Sequence, residues 1–211
     1  MNLGIVIILI VISGYFSNWI NWRFLNYRIT HLLYYIGAFV HETSHAVSCL
    51  FTGAKIEEFS VFSAQPHVTH RKSKLPIIGE LLISSAPIFG GLLFLFLVNR
   101  FALENYFLVG PLSDMSTWQD VFGGVFQFLL NINLLHWQSW VMILLCINVG
   151  AMLGPSLQDL KNMWPVLILL CFAPEAHFVG IGLLALSFIL VNIVLQIIFI
   201  SVVGVFNFAR R

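Results

Sequence analysis

The sequence predicts an all-α membrane protein of about six transmembrane helices, with a short β-hairpin or extended segment after the second helix. Three observations predict it. Hydrophobic residues make up 59% of the 211 residues and charged residues 9%, whereas a soluble domain carries about a quarter charged residues. The apolar residues fall into successive runs near the ~20 residues that cross a bilayer as a helix. One stretch, Ala54 to Lys74, breaks that pattern with partial alternation. Six spans with short loops leave no room for a sizeable soluble domain, so residues 1–211 read as one integral membrane domain in contact with the lipid bilayer. A net charge of +1 gives no reason to invoke nucleic acid. Cys49, Cys146 and Cys171 lie in apolar runs without a C-x-x-C spacing, which suits packing thiols.

The first run, Leu3 to Ile20, lacks a basic leader and a small-x-small cleavage site, so it reads as a retained helix. Trp19 and Trp22 mark an interfacial belt at its end, and Arg23 and Arg28 are expected in the connection that follows. The second run, His31 to Phe51, stops at Gly53. Lys55 to Phe62 alternates in part and Gln65-Pro66 suits a turn, so a hairpin at the membrane surface is expected. The third run, Pro76 to Val98, contains Ser84-Ser85-Ala86-Pro87 and Gly90-Gly91, small residues that permit close helix approach. Glu80 near its start is expected to pair with Arg71 or Lys74. Residues Asn99 to Gln119 are more polar. Asp120 to His136 is apolar but broken by Gly123-Gly124, Asn131 and Asn133, as in an interfacial or re-entrant helix. Trp137 to Leu153 is the fourth span.

Gly154-Pro155-Ser156 interrupts the apolar sequence. Ser156 is a natural N-cap for a helix from Leu157 to Ala173, with Asp159 in its first turn and Pro165 inside. Pro174-Glu175 marks a turn before the final run to Phe206. With six spans and a cytoplasmic N-terminus, Lys55, Arg71, Lys72, Lys74, Lys161, Arg210 and Arg211 face inward. Only Arg23, Arg28 and Arg100 face outward, which the positive-inside rule favours. Both termini are therefore expected in the cytoplasm, in the cell membrane.

The second run carries His41-Glu42-Thr43-Ser44-His45. On a helix, residues i and i+4 share a face with side chains starting about 5–6 Å apart, so His41 and His45 can hold one ion. Two imidazoles at this spacing suit zinc, one per chain, with Glu42 as the base that takes a proton from an attacking water. A shuffled chain of this composition would show the pattern about 0.006 times. A Glu and two His at membrane depth are costly unless they are used. A catalytic zinc needs a third ligand. Asp159, His67, His70, Glu80, His136, Glu175 and His177 are the candidates, and Asp159 is favoured because it falls on the same side as His45.

The stretch Gly37-Ala38-Phe39-Val40-His41-Glu42-Thr43-Ser44-His45-Ala46, with Ser85-Ala86-Pro87 and Pro155-Ser156-Leu157-Gln158-Asp159, resembles the site-2 proteases, the zinc intramembrane metalloproteases. The resemblance covers about residues 31 to 160. Gln158 and Leu160 flank Asp159 where the family pattern reads Leu-Asp-Gly, the mark of a divergent branch. It implies His41, His45 and Asp159 as zinc ligands and Glu42 as the catalytic base. It further implies a membrane-protein or signal-peptide-like substrate helix cleaved in or near its membrane segment. No PDZ-like or CBS-like insertion fits the length. The residues by themselves also admit a zinc carrier, or an inactive scaffold that binds membrane helices. A carrier should show paired broken helices in its two halves, and none is visible. Intact His41, Glu42 and His45 speak against the scaffold.

Overall fold

The computed structural model describes residues 3–24, 27–63, 66–75, 77–104, 116–156, 158–162, 164 and 179–209. They are mostly helical, with one two-stranded hairpin. Helix α1 (Leu3–Phe24) and α2 (Tyr27–Thr52) are each longer than their apolar runs, so Arg23 and Arg28 belong to the helices and not to a connection. Helix α2 stops where expected. Gly53 takes a left-handed φ of 69°, and the Ala54 N–H donates back to the Cys49 carbonyl at 2.9 Å, the bond that closes a glycine-terminated helix.

Strands β1 (Ile56–Ser60) and β2 (His67–His70) pair antiparallel, with Ile56 opposite His70 and Ser60 opposite His67. The hairpin expected after the second helix is present. It folds back along α2, where Phe62 stacks on Tyr35 and Phe39 with ring centroids 5.7 and 5.9 Å away. Phe39 lies 13 residues before Thr52, the end of α2, so the tip reaches about 20 Å along the helix. Aromatic stacking on an exposed helix face holds it there.

Helix α3 (Ile78–Phe101) has Pro87 inside it. The pairing expected for Glu80 is not what forms. Its Oε1 accepts from the Ser73 N–H at 2.9 Å, while Arg71 pairs with Glu57. Helix α4 (Trp118–Leu130) opens on a reciprocal cap between Thr117 and Asp120. With 13 residues it is about 20 Å long, too short to span. Helix α5 (Trp137–Met152) and α6 (Val179–Ala209) are the remaining long helices among the described residues.

Helix α2 lies between α3 and α5. Helix α5 leans on α6, which also receives α1 and α4. The core between them is aliphatic: Val6, Met142, Val149, Leu183 and Ile189 are almost fully buried. Two crossings are set by glycine. A side chain at Gly37 of α2 would collide with the Asn148 backbone carbonyl of α5, and one at Gly90 of α3 would collide with Ser44 of α2. The close approach expected from Gly90-Gly91 is realised there. Helices α1, α3 and α6 are long and apolar enough to cross a membrane. Ile5, Ile12, Leu93 and Phe96 point outward from α1 and α3, a surface suited to lipid.

Helix directions revise the expected topology. Gly182, near the start of α6, meets Val6 of α1, and further along Asn192 and Gln196 bond to Ser17. Helices α1 and α6 are therefore parallel, and Leu3 and Ala209 lie at opposite ends of the bundle. Both termini on one side is incompatible with this. Most of the expected fifth span, Leu157 to Ala173, lies outside the described residues. If Arg210 and Arg211, outside the described residues, are counted with the Ala209 end, the charges divide five against five and no longer orient the chain. Cys49 and Cys146 are buried free thiols, as expected. The readings on Pro165, Cys171, Pro174, Glu175 and His177 lie outside the described residues.

Candidate metal centre

His41 and His45 stand one turn apart on the buried face of α2, each 8% exposed. Their Nε2 atoms are 3.2 Å apart and their rings are nearly perpendicular, at 77°. Gly37 explains how His41 reaches α5. It brings α2 against Asn148, and one turn further along both helices His41 meets Met152.

Each ring is held at Nδ1 by a backbone carbonyl. His41 Nδ1 donates to Met152 O at 2.8 Å, and His45 Nδ1 donates to Ile83 O at 2.8 Å. A carbonyl oxygen can only accept, so both Nδ1 atoms carry the proton. In neutral imidazoles both Nε2 atoms then present lone pairs, and they present them to each other at 3.2 Å. Two facing lone pairs repel unless a cation lies between them.

Asp159 supplies the third group. It is 5% exposed, in the helical stretch 158–162. The N-cap predicted at Ser156 forms: its Oγ accepts from the Asp159 N–H at 3.2 Å. Asp159 answers reciprocally, as Oδ2 accepts from the Ser156 N–H at 2.8 Å and from the Ser156 hydroxyl at 2.6 Å. This closed cap aims the carboxylate inward, with Oδ1 3.5 Å from His45 Nε2 and Oδ2 3.9 Å from His41 Nε2. Its helix-capping role and its place at the centre are therefore compatible. One donor atom from each of His41, His45 and Asp159 lies within 4.8 Å of the others, a buried group able to hold a metal ion.

Glu42 lies outside this group, half-buried on the neighbouring face of α2. Its carboxylate faces the Val68 backbone of β2, and Asp159 and then His67 are the charges that act on it. The folded-back hairpin thus lies directly over the acid. The other candidate ligands are elsewhere. His67 pairs with Glu58 at 3.4 Å, His70 Nδ1 donates to the Arg71 carbonyl at 3.0 Å, and Glu80 is held by Ser73. His136 is exposed at the start of α5, the far end from Met152.

The Ile83 and Met152 carbonyls were not anticipated from the sequence as parts of the site. A signal for each was present. A helical carbonyl normally accepts from the N–H four residues on. For Ile83 that residue is Pro87, which has no N–H. For Met152 it is Ser156, whose N–H is taken by Asp159. No family model, curated protein or solved structure matches this chain.

Proposed function

We propose that the chain is a zinc-dependent intramembrane endopeptidase of the site-2 protease kind, with His41, His45 and Asp159 as zinc ligands and Glu42 as general base. The observation that carries this reading is the convergence of two imidazole lone pairs and a carboxylate on one buried point, with the Glu42 carboxylate next to His41 on the same helix. Ligands about 2.0–2.1 Å from a tetrahedral zinc stand about 3.3 Å from one another. The two Nε2 atoms, 3.2 Å apart, stand close to that value, and Asp159 approaches them with Oδ1 3.5 Å from His45 and Oδ2 3.9 Å from His41, one donor atom of each residue lying within 4.8 Å of the others. Three protein ligands of the His, His, carboxylate type, leaving one position open, suit a hydrolytic site.

Zinc bound there would activate a water and polarise the scissile carbonyl. Glu42 takes a proton from the attacking water and passes it to the leaving amide nitrogen. The Ile83 and Met152 carbonyls keep both imidazoles aimed at the ion. The hairpin gives Glu42 its cover and offers strand-edge backbone groups to an unwound substrate segment, which would bind by strand addition. A helical substrate must unwind before its peptide bond can be attacked, and an edge strand satisfies the backbone groups thus exposed. Five crossings, by α1, α2, α3, α5 and α6, with α4 at the interface, fit the helix directions.

The test is zinc content of the purified chain, together with cleavage of a reporter bearing a signal-peptide-like membrane helix, for the wild type and Glu42→Gln. The expected result is about one zinc per chain in both proteins, with cleavage in the wild type alone. Undiminished cleavage by Glu42→Gln would refute the mechanism.

A further inference from the structure

We propose that Pro87 is a positioning residue of the metal centre: its missing N–H reserves the Ile83 carbonyl for His45. The inference rests on the metal-site reading above. In an unbroken α3 the carbonyl of residue 83 would accept from the N–H of residue 87. Proline removes that donor, and its ring crowds the same carbonyl and pushes it off the helix axis. Ile83 is 2% exposed and His45 8%, so in an apolar interior the freed oxygen needs another donor. His45 Nδ1–H is that donor, at 2.8 Å.

Two further features show that this is a built contact. Gly90, three residues after Pro87, lets α2 in close, because any side chain there would collide with Ser44, the neighbour of His45. The second imidazole is held by the same device made another way. The Met152 carbonyl ends α5, and its would-be donor, the Ser156 N–H, is bonded to Asp159. Both ligating rings are therefore oriented by carbonyls that have lost their helical partner. With the proton held on Nδ1, the Nε2 lone pair of His45 faces Asp159 and His41. An N–H at residue 87 would compete for Ile83 O and release the ring to rotate or to shift its proton to Nε2.

The experiment uses the full chain in detergent micelles and zinc in competition with a chelator. Pro87→Ala restores a helical N–H. Removing proline from a helix interior stabilises the helix, so the thermal midpoint should hold or rise while zinc affinity falls by about 10–100-fold, the usual cost of losing an orienting partner. Opposite signs in stability and affinity separate positioning from a packing role. A second variant carries the α-hydroxy acid analogue of alanine at residue 87, an ester without an N–H, and should bind zinc like the wild type. In the metal-free wild type, ring 15N signals should place the His45 proton on Nδ1. Equal zinc affinity in wild type and Pro87→Ala, an ester variant as weak as Pro87→Ala, or a His45 proton on Nε2 would each overturn the inference and leave the metal site standing. A wild type that binds no zinc would overturn both.

Discussion

Asp159 does two jobs, capping its helix and facing the two imidazoles, and substitutions can separate them. Oδ2 accepts from the backbone and hydroxyl of Ser156, while Oδ1 is directed towards His45 Nε2. Asp159→Asn keeps an acceptor for the Ser156 bonds, so the start of the helix should persist. The remaining cost is the lost charge at a helix N-terminus, about 0.3–1 kcal/mol. At the metal the same change removes one of three ligands. Loss of an orienting partner alone costs about 10–100-fold in affinity, so loss of the ligand itself should exceed about 100-fold, or roughly 2.8 kcal/mol. The two effects thus differ in size and in assay, one read by thermal unfolding in detergent and the other by chelator competition for zinc. Asp120 is an internal control. It closes the same reciprocal cap, with Thr117 at the start of α4, but takes no part in the metal group, so Asp120→Asn should leave zinc affinity unchanged. An Asp159→Asn variant that binds zinc within about twofold of the wild type would show that Asp159 only caps its helix, and the reasoning about the third ligand would fail.

Glu42→Gln should retain zinc and lose about 10²–10⁴-fold in turnover, the usual worth of a general base, as measured on a reporter helix. Gly37→Ala places a methyl group against the Asn148 carbonyl. It should cost about 1–3 kcal/mol of stability by overpacking, and should lower zinc affinity as His41 withdraws from Met152. Single cysteines placed near Leu3 and beyond Ala209, in a background lacking the three native thiols, should label from opposite sides of the membrane. Labelling from one side would refute the parallel course of α1 and α6.

Chemistry carried by short-range spacing was legible in the sequence. His41, Glu42 and His45 are four residues apart from end to end, so helical geometry alone puts the two imidazoles on one face. Gly53 as a helix stop and Ser156 as an N-cap are equally local, because each depends on one residue's backbone freedom or side chain. The apolar runs announced the helices, since burying peptide groups in hydrocarbon demands internal hydrogen bonding. Contacts between distant segments were decided only by the tertiary structure. Asp159 became the third group because Ser156 aims it and because α5 delivers it beside α2, 114 residues from His45 in sequence. The hairpin lies over Glu42 because Phe62 finds Tyr35 and Phe39, a pairing that no alternation pattern encodes. The direction of α6 escaped the sequence because hydropathy measures apolar length and carries no direction, whereas contacts with α1 fix it. Pro87 was readable as a helix breaker, but which group would take the carbonyl it frees depended on α2 crossing α3 at Gly90.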